Sequence, residues 1–588
     1  MLKNLKNQVF IVYTLVAIIG FTSIFISVYK LNNAIQSNNK NFSNQKNHDK
    51  SKKIKMYLTS INQSVKVISN LETMKIIKLT RGTKVYKIGK KITPKNSSST
   101  DYYKIEYKNS KNKVRTAYVN PKILVSKKEE IIKEKALYVR TASHIYSNNK
   151  QEIKTLVKKG SKLDILGYSD LDASTGLVKW YKVKIPNTES NGYIRSKYLT
   201  DSLEKSKTMY NQNNIMEIHN KRDDKYGAGS AKDLDFYPRK KINFENNIMP
   251  KEVNALYINT GTIKNADDYI KLAKGTRINA FVVDIKDNGN PAFPAESMKK
   301  YSPANYNAAK KYFNTEKEYK DSIKKLKDSG FYVIGRITVF KDAYFVKDHP
   351  ESAITDTRTG KPFLHNNTHW PSAYQRNVWQ FNVELAKESV EKFGFNEIQF
   401  DYIRFPDRTS NSEKKGHIDY KNNYNETKSQ AVQRFLMYAT DELHDLNVYV
   451  AGDVFGESAH NYVTPYGQYW SAISNVLDVI SPMAYPDHFW YGDYGFNHPW
   501  QHPFEVLSIW SKMAVARQSE ISTPAIIRPW IQSHDATVSP SRKYNSEEVS
   551  AQISAYYKFG INGGFMTWWS SSSISGYKSE IEAYKKKY

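Results

Sequence analysis

Eight short runs rich in β-branched and aromatic residues follow one another after residue 250, each separated from the next by a longer polar stretch. They are ALYIN (255–259), AFVVDIKD (280–287), YVIGRITVF (332–340), EIQFDYIRF (397–405), NVYVAGDVFG (447–456), VISPMAY (479–485), AIIRPWIQS (525–533) and GGFMTWWSS (563–571). Several of the intervening stretches carry helical periodicity, among them YKDSIKKLKDSG, NVELAKESVEKFG, SQAVQRFLMYATDELHDL and EEVSAQISAYYKFG. Three helical segments end at Gly330, Gly394 and Gly560, as helix C-caps do. Eight strands in βα order predict a (β/α)8 TIM barrel over residues 250–588. A doubly wound open sheet is the competing arrangement, but no glycine-rich phosphate loop follows the first run to support it.

Barrel active sites lie at the C-terminal ends of the strands. Polar and aromatic residues gather there: Asp284, Lys286, Arg336, Asp401, Arg404, Asp453, Tyr485, Arg528, Trp530, Gln532 and Trp568, with His488 just beyond the sixth strand. One such residue alone reads as a satisfied core group, whereas many converging on one rim read as a site. Side chains alternate along a strand, so Gln399 and Asp401 share a face opposite Phe400 and Tyr402. The apolar ring of Phe400 suits the helix-facing side and places Asp401 in the lumen. Adjacent strands are about 4.8 Å apart, so Asp401 and Asp453, at the ends of the fourth and fifth, can approach to the roughly 5–9 Å that a two-carboxylate glycosidase requires.

The motifs IQFDYIRFP, DVFG, ISPMAYPDHF and RPWIQ together resemble the glycosyl hydrolase domain family of unassigned specificity found in bacterial surface proteins, from about Val253 to Ser571. Wider kin of that family include the alpha-amylase-like barrels. The resemblance implies Asp401 as nucleophile and Asp453 as acid/base, with Glu457 or Asp487 as substitutes, because the amylase clan carries Glu where Asp453 stands. In other barrel glycosidases the fourth-strand carboxylate is the acid, so Asp401 is firmer as a site than as a role. Arg336 and Arg404 are expected to orient Asp401 or bind an acidic sugar. Tyr485, His488, Trp530 and Trp568 are expected to stack on sugar rings, while Asp284 and Lys286 pair with each other or touch substrate. Arg528 and Gln532 complete the substrate-binding set.

The N-terminal third is organised differently. Residues 1–8 form a short flank with Lys3 and Lys6, and Val9–Tyr29 is an uncharged apolar stretch long enough to span a bilayer. The flanking lysines favour the N-terminus inside and the bulk outside, with secretion after signal cleavage as the alternative. Residues 30–53 are dominated by Asn, Lys, Ser and Gln and read as a disordered tether. An internal repeat follows. TRGTKVYKIG (80–89) matches KKGSKLDILG (158–167), and YYKIEYKNSKNKVRTAYVNPKIL (102–124) parallels WYKVKIPNTESNGYIRSKYL (180–199). Short alternating strands with Gly, Asn and Ser turns predict two small all-β barrels, residues 54–127 and 135–201. The second, from LYVRTASHIYS onward, resembles the bacterial SH3 domain family, which implies binding to a cell-wall polymer. Residues 202–249 read as a linker.

The expectation is thus a multidomain protein, with an N-terminal transmembrane helix, two SH3-like barrels and a C-terminal TIM barrel. Composition removes several functions. The chain has no Cys, which excludes disulfides, thiolate zinc sites and a Cys nucleophile. Its formal charge of +30 would suit nucleic acid, anionic lipid or acidic wall polymers. No nucleic-acid motif accompanies it, so an anionic cell envelope is the preferred partner. His498 and His502 are four apart, but the prolines between and after them oppose a zinc-protease helix; neither metal nor cofactor is expected. No G-x-S-x-G elbow is present. The leading function is a membrane-anchored, surface-exposed glycoside hydrolase acting on a cell-envelope or extracellular polysaccharide. The alternative is a non-catalytic, lectin-like carbohydrate-binding surface protein.

Overall fold

A computed structural model describes residues 53–94, 100–210 and 227–588. The apolar segment Val9–Tyr29 and the tether before residue 53 lie outside them. Among the described residues no helix is long and apolar enough to cross a membrane.

The chain divides into two compact units, residues 1–134 with 170–178, and residues 135–169 with 179–588. The first unit holds a seven-stranded sheet. Its strands alternate about a core of Leu58, Val65, Val67, Val85, Ile105, Ala117 and Val119. The internal repeat is real at the level of topology. The sheet of residues 54–125 and that of residues 136–200 have the same strand order, the third strand of each lying at one edge and the seventh at the other.

In the second unit the repeat is joined to the large domain by buried contacts. Tyr198 donates to Asp441 at 2.6 Å, and Arg195 reaches Glu442 at 2.5 Å and Asp445 at 3.0 Å. Tyr146, Trp180 and Tyr198 belong to the same apolar core as the helices they face. The stretch expected as a linker is packed as well, from residue 227 on. Ala228, Ala231 and Leu234 sit against Val463, Tyr469 and Ala472, and Lys241 donates to the carbonyls of Ser474, Asn475 and Leu477. A cation there satisfies carbonyls that the end of helix Trp470–Val476 leaves free.

The large domain is a curled parallel sheet with the order of a TIM-like barrel. Its strands are β1 (Val253–Ile258), β2 (Ala280–Asp287), β3 (Tyr332–Thr338), β4 (Glu397–Asp401), β5 (Tyr449–Phe455), β6 (Val479–Met483), β7 (Ile526–Ile527, resuming as Trp530–Gln532) and β8 (Gly564–Trp568). The first part of β7 pairs with β6 and the second with β8, so the ring closes through one strand broken at Arg528 and Pro529. Proline supplies no N–H to the ladder, which fits the break. At the junction of β8 and β1, Gly564 has φ 94, and a Cβ there would overlap the Val253 backbone; only glycine fits.

Alternation sorts the side chains into two cores. Val253, Ala255, Tyr257, Ala280, Val282, Tyr332, Ile334 and Trp530 fill the lumen. Leu256, Phe281, Val283, Ile285, Val333, Ile398 and Phe400 face the helices. The helices are fixed by local signals: Thr315 with Glu318, Thr427 with Gln430 and Asn545 with Glu548 form capping boxes, and Gly394 ends Arg376–Phe393 in the left-handed conformation.

Candidate active site

The lumen-facing residues at the tops of β2 to β5 are Asp284, Arg336, Asp401 and Asp453. The strand registers explain their meeting. Asp284 is paired with Arg336 and Arg336 with Gln399, while Asp401, two residues beyond Gln399, is level with Asp453 because Phe400 pairs with Gly452. Above them opens a cavity of about 660 Å³ lined by Tyr257, Asp284, Asp287, Asn288, Asn290, Arg336, Asp401, Tyr402, Arg404, Phe455, Tyr485, His488, Trp530 and Trp568, among others.

Arg336 is the hub and is 1% exposed. Its Nη1 donates to Asp284 Oδ1 at 2.8 Å and Asp287 Oδ1 at 3.2 Å; its Nη2 donates to Asp401 Oδ2 at 2.5 Å. Its Nε lies 3.9 Å from Asp453 Oδ2, and neither of those two atoms has a hydrogen-bond partner among the described residues. Burial works against the guanidinium charge, but the carboxylates of Asp401, Asp287 and Asp284 more than offset it and hold Arg336 firmly protonated. Tyr257 and Trp568 flank the cation, their ring centres 5.8 and 5.2 Å away. Asp401 Oδ1 accepts the N–H of Tyr402, a residue with φ 52. The left-handed turn that brings this N–H back costs on the order of 1–2 kcal/mol for a non-glycine residue, and such strain concentrates at functional sites.

Carboxyl groups crowded around one buried guanidinium oppose one another's ionisation. Burial raises Asp284 to about 7, and the hydroxyl of Tyr257 donates to its Oδ2. Burial, and then the charge of Asp401, push Asp453 well above the usual carboxylate range. Asp453 is 0% exposed, its Oδ1 accepting from Trp530 Nε1 and Gln399 Nε2, both at 2.8 Å. Asp453 does not line the cavity. Asp284 and Asp401 both line the cavity. The arrangement offers Asp401 in a tight ion pair and, beside it, Asp284, a carboxyl that burial lets hold a proton up to about pH 7.

Other expected residues are distributed unevenly. Arg404 lines the cavity but pairs with Asp407 at 3.1 Å and stacks over Phe455, so orienting Asp401 falls to Arg336. Tyr485, His488, Trp530 and Trp568 line the cavity; burial lowers His488 and raises Tyr485. Three residues do not line it. Lys286 does not pair with Asp284, because a register shift between Asp284 and Lys286 turns it outward to a buried ion pair with Asp342 at 2.6 Å. Arg528 points to the opposite end of the barrel, where it meets Glu397, the first residue of β4, at 2.7 Å. Gln532 is spent on the His534 carbonyl and the Asp487 N–H. Glu457 accepts from Tyr462 and Tyr466 outside the cavity lining, and Asp487 likewise does not line it. The sequence reading missed Tyr257 and Asp287. Tyr257 shares the inward face of β1 with Ala255 and was within reach of the period-two rule, whereas strict alternation sets Asp287 opposite Asp284 and only the register shift in β2 brings it to Arg336.

Among solved structures, similar chains include a hypothetical protein from Ruminiclostridium thermocellum, 32% identical over 34% of this chain and 97% of that one, with a TM-score of 0.28. The PgaB (BpsB) glycoside hydrolase domain from Bordetella bronchiseptica is 13% identical over 57% of this chain and 100% of that one, with a TM-score of 0.40. A Flavobacterium johnsoniae chitobiase is 12% identical over 57% and 48% of the two chains, with a TM-score of 0.38. These superpositions are too weak to carry an argument about activity. No curated protein matches the chain. The match that decides is to a family described as "Putative glycosyl hydrolase domain", which covers residues 255–574, more than half of the 588, and spans the barrel strands together with Arg336, Asp401 and Asp284; this chain belongs to that family of glycosyl hydrolase domains.

Proposed function

We propose that the protein is a membrane-anchored, surface-exposed glycoside hydrolase that cleaves a cell-envelope or extracellular polysaccharide with two carboxyl groups. The observation that carries this reading is the placement of Asp401 and Asp284 on the two terminal nitrogens of one buried guanidinium at the floor of an open cavity. Asp401, ion-paired and backbone-bonded, serves as the carboxylate that attacks or activates water. Asp284, raised to about 7 by burial, serves as the proton donor to the leaving oxygen. Asp453, raised by burial and by the charge of Asp401, keeps its proton and positions Trp530 and Gln399. That division departs from the sequence expectation of Asp453 as acid/base, because Asp284 lines the cavity and Asp453 does not. Tyr257, Trp530 and Trp568 supply apolar faces for sugar rings.

Anchoring rests on the uncharged stretch Val9–Tyr29 after Lys3 and Lys6, and envelope targeting on the repeated β-domains, their SH3-like motifs and the +30 charge. The test is reducing-end release from a panel of purified surface polysaccharides, with Asp401→Asn as control. A protease added outside intact cells should digest the barrel, and carbonate washing should leave the chain in the membrane. Release of the chain by carbonate contradicts anchoring.

A further inference from the structure

The loop that follows β6 begins in the cavity and ends outside it. Tyr485 and His488 line the cavity, whereas Trp490 and Tyr491, two and three residues further on, are each 67% exposed. Two adjacent large aromatics at that exposure are informative, because each leaves apolar surface in water that burial would stabilise at about 25 cal/mol per Å². Their backbone is nonetheless tied down. The Trp490 N–H donates to Asp493 Oδ2 at 2.7 Å, the Asp493 N–H returns to the Trp490 carbonyl at 3.0 Å, and Gly492 N–H bonds Phe496 O at 2.9 Å. A turn fixed in this way presents the two rings outward at a set position.

The loop that follows β4 repeats the arrangement. Tyr402 and Arg404 line the cavity, and Arg408, at its outer end, places its guanidinium 5.3 Å from the Trp490 ring centre while its own side chain stays 74% exposed. Two loops whose inner ends carry cavity residues thus bring an indole, a phenol and a guanidinium together at their outer ends. The C–H faces of a pyranose stack on aromatic rings, and its hydroxyls accept from a guanidinium.

We propose that Trp490, Tyr491 and Arg408 form an outer glycan subsite, which holds sugar units of the same chain beyond those flanking the cleaved bond. It rests on the hydrolase reading above and makes the substrate a polymer or long oligosaccharide rather than a disaccharide. Continuity with the cavity through Tyr485 and His488 on one loop, and Tyr402 and Arg404 on the other, selects a glycan chain as occupant over a protein partner.

The test uses the full chain in detergent, carrying Asp401→Asn so that ligand is not consumed. Hexasaccharides and disaccharides of β-1,4-glucose, α-1,4-glucose and β-1,4-N-acetylglucosamine are titrated calorimetrically. At least one hexasaccharide should bind more tightly than its disaccharide. Adding Trp490→Ala and Tyr491→Ala should weaken that hexasaccharide roughly tenfold while changing disaccharide affinity less than about twofold. Trp490→Phe, with the native Tyr491, should recover much of the loss. Both side chains are exposed, so an unchanged circular dichroism spectrum is expected to accompany the effect. Equal hexasaccharide affinity with and without the two rings, or equal affinity for long and short ligands, overturns the subsite and leaves the hydrolase reading standing. Binding of none of the six saccharides overturns the subsite too; turnover on the polysaccharide panel then decides the hydrolase reading separately.

Discussion

Asp284 and Asp401 are held on opposite terminal nitrogens of Arg336, at 2.8 and 2.5 Å, and both line the cavity above it. One fixed cation thereby sets the position of two carboxyl groups, one of which, Asp284, burial has raised to about 7.

Removing the cation should be costly. Arg336→Leu leaves Asp284, Asp287 and Asp401 without their shared partner at the cavity floor, and breaking a buried pair in this way costs about 3–5 kcal/mol. Urea unfolding at neutral pH should show that loss, with partial recovery on acidification as the carboxylates take up protons. Stability equal to wild type would mean that the hub is not formed.

The proton donor has a signature of its own. Asp284→Asn should slow cleavage of substrates with poor leaving groups by about 10²–10⁴-fold while sparing activated aryl glycosides. In the wild-type protein activity should fall as pH rises through about 7, where Asp284 loses its proton. That basic limb should vanish in the variant. Equal slowing of both substrate classes would remove Asp284 from the donor role.

Asp453 tests the opposite expectation. Because it is buried and neutral, the folded protein keeps a proton that the unfolded chain releases above about pH 4. Its contribution is therefore complete below that pH and is lost as pH rises toward the raised folded value. Asp453→Asn can still accept from Trp530 and Gln399, so it should flatten the decline of stability above pH 4 and retain most activity. Loss of turnover with an intact fold would return the acid/base role to Asp453.

Lys286 is separable from the chemistry. Lys286→Met leaves Asp342 buried without its cation, so it should destabilise by about 3–5 kcal/mol. The folded fraction should keep its kcat and KM. A large rise in KM with unchanged stability would place Lys286 in the cavity instead.

The sequence carried the βα alternation, the repeat and the inward face of β4, because each depends on periodicity along one element. Gln399 and Asp401 follow that rule, as does outward Phe400. Lys286 escapes it because one bulge in β2 reverses the alternation, and nothing in AFVVDIKD announces the bulge. Depth in the barrel is equally illegible. Arg528 meets Glu397 at the far end of the barrel because of the stagger between strands that are distant in sequence. The joint between Arg195 or Tyr198 and Asp441, Glu442 and Asp445 spans more than 240 residues, and no local pattern encodes it. That joint also means that residues 135–201 belong with the barrel in any fragment used for assay.

The most direct measurement is reducing-end release by the full chain and by its Asp401→Asn variant on whichever panel polysaccharide the wild type cleaves. A fall of about 10²–10⁴-fold or more is expected, with glycan affinity close to wild type and a native circular dichroism spectrum. Turnover unchanged by Asp401→Asn would contradict it, because the ion-paired carboxylate at the cavity floor would then have no part in the reaction.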